Sequence, residues 1–318
     1  MNRKGVRGII VLSSVWCCAG LFGFSVSGSL WMFYILGADM GLLGSTCLYL
    51  GANVIVQQSY SSQQASAVLG LVMAGSGIGG VIWSNLVPML LNSFGWRMSY
   101  RILGLCWLTL PLLAALILGK QEMSGAFGNG ITHMSGMSKK EAMKTLKFYL
   151  AVLVMCVISC ASCISQQLPA LLGNLGHADV NKLISIMTAG VAVGTIVEGL
   201  LCSRLGIKYS MVLVLFTYAV GFILLAVNAA IPVALVCLAF GSGSITTLMP
   251  ILVRTIFGGR DYAAIWSVII SCSSVASFFG APMWGMVYDI FGTYLPALIV
   301  MPVLLAASVA CIFGAFKK

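Results

Sequence analysis

The side chains able to handle a solute or an ion in this sequence are few, and they recur at helical spacing. Asp39, Thr46, Asn53 and Gln57 stand at i, i+7, i+14 and i+18, which stacks them within about 40 degrees on one helical face. Ser159, Ser162 and Gln166 form a second stripe and Ser185, Thr188 and Thr195 a third. Ser242 with Thr246, and Ser267 with Ser271 and Ser274, make two more. Such rows offer hydrogen bonds to a polar solute, and a carboxylate among them, Asp39, binds a proton, a cation or the solute. A structural reading stands beside each one. Serine and threonine also satisfy their own helix backbone, and Asp39 has Arg97 and Arg101 as potential ion-pair partners. Glu198, close to Arg204, reads as a carboxylate at the membrane surface.

Catalytic chemistry finds no support. There is no phosphate-cradling glycine loop ending in Lys-Ser/Thr and no nucleophile paired with a buried base, so the chain is read as no enzyme and as cofactor-free. Cys156, Cys160 and Cys163 share a helical face, but no His or carboxylate accompanies them. They read as small polarisable packing residues rather than metal ligands. His133 and His177 read as surface residues.

Helices across a bilayer must position the stripes. The chain is 60% hydrophobic and 8% charged, with a mean hydropathy of +1.05. A soluble domain carries roughly 25% charged residues, so the bilayer is the solvent. Runs of about 20 apolar residues then have to be helices, because lipid offers backbone groups no partner. Ten spans are expected: 8–27, 30–56, 65–91, 99–118, 148–172, 180–203, 209–228, 231–256, 263–288 and 293–315. Between the fourth and fifth lies the one long hydrophilic stretch, 119–147, with five lysines. It divides the chain into a four-span half (1–118), a hinge and a six-span half (148–318). Ser138-Lys139-Lys140-Glu141 within it reads as a capped helix start.

Charge sets the orientation. Arg3, Lys4, Arg7, the five hinge lysines, Arg204, Lys208, Arg254, Arg260, Lys317 and Lys318 fall on one side. Arg97, Arg101 and Lys182 fall on the other. The positive-inside rule places both termini and the hinge in the cytoplasm of a cell-membrane protein. Basic residues scattered at helix ends are orientation signals, so the net charge of +10 does not indicate nucleic acid.

The halves repeat in parallel. Gly44-Ser45 returns as Gly241-Ser242 and Phe94-Gly95 as Phe291-Gly292, each 197 positions on. Arg3-Lys-Gly5-Val-Arg7 returns as Arg204-Leu-Gly206-Ile-Lys208, 201 positions on. A parallel repeat of about 200 residues fits six-helix halves and speaks against two inverted five-helix repeats, the plan of a ten-helix exporter. In that register two helices are expected before Met1.

On these residues the chain resembles the major facilitator superfamily, in particular its oxalate/formate antiporter and monocarboxylate transporter branch. The family's loop pattern G-x-L-x-D-R-x-G-x-R/K matches Gly199-Leu-Leu201-Cys-Ser203-Arg204-Leu-Gly206-Ile-Lys208, with a first-half copy at Arg3, Gly5 and Arg7. Ser203 and Asn2 replace the acid, and Glu198 is a candidate substitute for it. Further matches are Met73-Ala-Gly-Ser-Gly-Ile-Gly79-Gly80, whose Gly75 and Gly79 are expected at a close helix contact, and Gly285-Met-Val-Tyr-Asp289-Ile-Phe-Gly292-Thr-Tyr294. The resemblance implies an all-α polytopic membrane protein with ten of the fold's twelve helices. It implies secondary active transport of a small metabolite by alternating access, with a small organic anion as one substrate class and H+ or a counter-substrate as partner. Deep spans carry no Lys or Arg, so a neutral solute or a cation attracted by Asp39 stays open. The alternative is a non-transporting remnant of a shortened transporter gene.

Overall fold

A computed structural model describes residues 6–40, 62–117, 136–177 and 179–316. Among them the chain is all helix apart from one isolated bridge, Gly136 with Gly258. The helices are α1 Val6–Val26, α2 Leu30–Asp39, α3 Ser62–Ile117, α4 Lys139–Ala142, α5 Leu146–Ser162 and α6 Ile164–Asn174. They continue as α7 Val180–Leu205, α8 Ile207–Ala226, α9 Ile231–Gly243, α10 Leu248–Phe257, α11 Tyr262–Phe291 and α12 Leu295–Ala315. Six stretches among the described residues are long and apolar enough to cross a membrane, all from Leu146 onward. Each expected span from 148 on lies on one of them.

Upstream the correspondence is partial. The expected 30–56 span opens as α2, and its remainder lies outside the described residues. The 65–91 and 99–118 spans both fall in α3, which turns at Gly95. There φ is +71°, a value that costs a glycine little and an L side chain much.

The contacts form two compact units, Met1–Ser59 with Asn85–His133, and Tyr60–Ser84 with Met134–Lys318. In the first, α1 and α2 pack through small residues and rings. Gly23 lies against Leu36 and Gly20 against Met40. The Phe24 ring stacks on Phe33 at 5.2 Å and on Tyr100 at 5.4 Å.

In the second unit α8 is central, packing on α7, α9 and α12, while α5 packs on α11 and α12. Lipid tails are as apolar as leucine, so these contacts depend on close fit rather than on escape from water. Gly241 of α9 sits directly on the Tyr218 ring of α8, which stacks its neighbour Phe222 against Trp284 of α11. Cys160 and Cys163 donate to the carbonyls of Ala276 and Ser277 at 3.3 and 3.6 Å, so these thiols join α5 to α11.

Of the glycine face expected on α3, Gly80 is at a close contact among the described residues. No described atom approaches Gly75 or Gly79, whereas Gly70 lies against the Thr195 carbonyl and Gly199, and Gly80 against the Thr188 methyl. The contact face is set by where α7 presents its own small residues, which spacing within α3 alone does not reveal.

The end of the hydrophilic stretch is ordered as its sequence suggests. Ser138 and Glu141 exchange a full capping box, with Ser138 N–H donating to Glu141 Oε2 at 2.8 Å. The Ser138 backbone N–H first, and then its side-chain hydroxyl, hold the Glu141 carboxyl below its ordinary pKa. Lys139 N–H donates to Asp261 at 2.9 Å and Met137 N–H to the Phe257 carbonyl at 2.8 Å, which fastens the stretch to the α10–α11 turn.

Candidate functional site: a hydroxyl-lined cavity

Two spans of the second unit break in mid-course. Between α5 and α6 the chain tightens at Cys163, whose N–H bonds to the Cys160 carbonyl three residues back. Between α9 and α10 the run Gly241-Ser-Gly-Ser-Ile-Thr-Thr247 does the same, with Ser244 N–H on the Gly241 carbonyl and Thr246 N–H on that of Gly243. Glycine and serine are poor at sustaining a helix, and the tightened turns re-aim the side chains beside them.

Those breaks face one cavity of about 360 Å³. Ser162, Ser165 and Gln166 line it from the first break, Thr188 from α7, Ser242 and Thr246 from the second break, and Ser277 from α11. Cys163, Leu168, Ile184, Met187, Val191 and Ile245 add the rest of the wall, and none of the described lining residues is charged. A volume of this size suits a small metabolite.

The direction of the hydrogen bonds defines what the wall offers. Ser162 Oγ donates to the Ser159 carbonyl (2.8 Å), Thr188 Oγ1 to Ile184 (2.6 Å), Ser242 Oγ to Ala239 (2.9 Å) and Thr246 Oγ1 to Gly243 (2.8 Å). With their protons committed to the helix, these oxygens present lone pairs, and the Gln166 amide brings N–H donors. Turning one hydroxyl round costs about one hydrogen bond, roughly 1 kcal/mol. The wall therefore accepts more readily than it donates.

Of the stripe residues, Ser162, Gln166, Thr188, Ser242 and Thr246 meet here. Thr195 is buried further along α7, donating to the Ala192 carbonyl at 3.0 Å. Ser271 and Ser274 are exposed on α11 and do not line this cavity. Ser277, one turn beyond Ser274, takes their place; extending the serine row by one more turn would have found it. In the first unit Asp39 accepts a 2.8 Å hydrogen bond from Trp16 Nε1. It pairs with neither arginine: Arg101 donates to Ser25 and Arg97 lies over the Trp96 ring. Thr46, Asn53 and Gln57 lie outside the described residues, as do Arg3 and Gly5, while Arg7 falls in the first turn of α1.

In the second copy of the loop motif, Gly206 takes φ +80° to end α7, its N–H on the Cys202 carbonyl. Arg204 stands in the last turn of α7. Lys208 lies over the Phe313 ring at 4.4 Å. Gly199 is where Gly70 makes its approach.

One reading is corrected. Glu198 is not an interfacial carboxylate: it is fully buried between α7 and the end of α9. His177, at the surface, has a partner in Asn228 at 3.3 Å, which its position in a loop did not foretell.

No family model matches the sequence. Human monocarboxylate transporter 12 is 25% identical over 91% of this chain and 63% of its own length. Bovine monocarboxylate transporter 13 is 25% identical over 96% and 72% respectively. The aspyridones efflux protein apdF of Emericella nidulans is 25% identical over 95% and 63%. The chain thus spans a little under two thirds of the human and fungal relatives. The crystal structure of the human organic anion transporter MFSD10 covers 97% of this chain with a TM-score of 0.74 at 14% identity. The crystal structure of FucP, a major facilitator superfamily transporter, in the outward conformation covers 100% of this chain and 85% of its own with a TM-score of 0.73 at 13% identity. This chain is a multi-pass membrane protein with the major facilitator fold, and its sequence likeness runs to monocarboxylate transporters and efflux proteins rather than to enzymes.

Proposed function

We propose that this protein is a secondary active transporter that moves a small polar solute across the cell membrane by alternating access. The observation that carries the reading is the uncharged, hydroxyl-lined cavity, to which four spans each contribute polar side chains in a chain that is otherwise overwhelmingly apolar. Polar atoms deep in a membrane protein are costly and collect along solute paths. In this reading residues 1–118 and 148–318 are the moving halves, 119–147 is a cytoplasmic hinge, and both termini are cytoplasmic.

The names of the relatives suggest monocarboxylates and other organic anions. A bare carboxylate needs donors or a cation, and this wall supplies mostly acceptors, with Gln166 as its amide donor. The wall therefore favours a solute rich in O–H or N–H groups, or an acid that enters with its proton. Asp39, held by Trp16, is the candidate coupling-ion group of the first half, with H+ or a counter-solute as the partner.

The test is uptake into proteoliposomes holding the full chain, driven in turn by a pH gradient and by preloaded solute. Saturable uptake of a hydroxylated or amine solute, or of a short-chain acid at low pH, is expected. No flux with any small acid, sugar or amine would overturn the reading.

A further inference from the structure

Glu198 has no role in the cavity wall, yet its surroundings are specific. The residue is fully buried, and neither carboxyl oxygen has a hydrogen-bond partner. The Thr247 hydroxyl, itself buried and otherwise unpartnered, faces it and is, among the described residues, the one polar group near enough to act on the carboxyl. Gly243 makes the space: a Cβ there would sit 3.2 and 3.5 Å from the two carboxyl oxygens. The carboxyl thus rests on the turn at 243–247 that joins α9 to α10. That same turn sends Ser242 and Thr246 into the cavity, so Glu198 stands directly behind the wall.

On α7 the cavity residues Thr188 and Val191 continue in steps of three and four to Thr195 and Glu198. The carboxyl is placed between the cavity and the loop motif at Arg204–Lys208. Charged and titratable groups on the packed elements lie elsewhere. Lys182 and Arg204 are at the two ends of α7, the Cys202 thiol is one turn beyond Glu198 on the same helix, and α6 and residues 62–84 carry none. Lys208 and Tyr209 sit at the start of α8, where Lys208 covers an α12 ring. Tyr218 is under Gly241, Cys237 lies on α9 before its break, and Arg254 interacts with Tyr262. No charge among them acts on Glu198.

A carboxylate without a counter-ion, with one hydroxyl at its side, is strongly disfavoured in such a place. We propose that Glu198 is a proton-operated switch of the second unit. While α7 packs on the 243–247 turn, Glu198 is the neutral acid. When the turn withdraws and water enters, the O–H bond breaks, the electron pair stays on the carboxylate and the proton passes to water. Proton binding and the packing behind the cavity wall are then one equilibrium. The transport consequence rests on the function proposed above; the protonation itself does not.

The decisive measurement is an infrared pH titration of the full chain in liposomes, comparing wild type with Glu198→Gln. A protonated-carboxyl C=O band present at neutral pH in wild type and missing from the variant is expected; no such difference band would overturn the proposal. Should the Gln variant not fold, Glu198→Met fills the space without a polar atom and gives the same comparison. Thermal midpoints add a second readout: wild type loses stability relative to Glu198→Gln as pH rises. Parallel curves would count against the switch. In transport, Glu198→Gln is expected to keep solute exchange and lose its pH dependence. A titrating band in a protein without flux would sink the transport reading and leave the switch standing. Flux with unaltered pH dependence in the variant and no band would do the reverse.

Discussion

Replacing Thr246 by valine removes one oxygen from the cavity and almost nothing from the fold. The hydroxyl donates to the Gly243 carbonyl, which also receives the N–H groups of Thr246 at 3.0 Å and Thr247 at 3.2 Å. No buried acceptor is orphaned, the branched side chain keeps its shape, and the stability cost is about 0.5 kcal/mol or less. In a chain of this size that is about 1–2 °C in thermal midpoint. The solute loses one neutral acceptor, about 0.5–1.5 kcal/mol, or roughly two- to twelve-fold in half-saturating concentration. The assay pairs the concentration dependence of uptake or counterflow with thermal unfolding in detergent. Gln166→Leu, which removes the amide donors, serves as the second arm. Unchanged half-saturation in both variants, with uptake intact, would refute the assignment of this cavity to the solute path. A large drop in melting temperature together with lost uptake would show instead that the hydroxyl is a structural element.

Gly241→Ala drives a Cβ into the fully buried Tyr218 ring, and such overpacking costs about 1–3 kcal/mol; thermal unfolding against Gly173→Ala, an exposed helical position with no described atom within 4 Å that gains about 0.5–1 kcal/mol, checks it. Ser138→Ala removes the α4 cap and loosens that turn by about 1 kcal/mol, read as faster hydrogen exchange at residues 138–142. Because Ser138 lowers the pKa of Glu141, that contribution is present above the ordinary carboxylate range and is lost as pH falls through the lowered value, so the protection factor at residues 138–142, exchange divided by its intrinsic rate at each pH, falls on acidification. Asp39→Asn keeps an acceptor for Trp16 and leaves indole emission unchanged, whereas Asp39→Leu shifts it. A fall in uptake in the Asn variant then reports the need for charge.

The membrane spans from residue 146 onward were legible because length and apolarity suffice to define a helix in lipid. Their interruptions were not. Cys163 and the 243–247 turn break helices through local three-residue hydrogen bonds that leave hydropathy unchanged. The cavity stripes were readable in part, since rows at three and four spacing share a face, but which face turns inward depends on neighbours. Ser277 was therefore missed, and Ser271 and Ser274 stand outside. Glu198 misled for a related reason. Six residues from Arg204 suggests the surface, yet at 1.5 Å per residue it is about 9 Å deeper. Only the glycine at 243, on another helix, tells which way the carboxyl points.

The bridge from Gly136 to Gly258 and the Asp261 acceptor for Lys139 join the segment ahead of α5 to the corner between α10 and α11. Tension in that segment is thus not relieved in a slack loop. It is delivered to two helices at once: α10, which begins beside Thr246, and α11, which carries Ser277. Residues 136–139 are therefore held by the same corner from which both of these helices of the hydroxyl-lined chamber run.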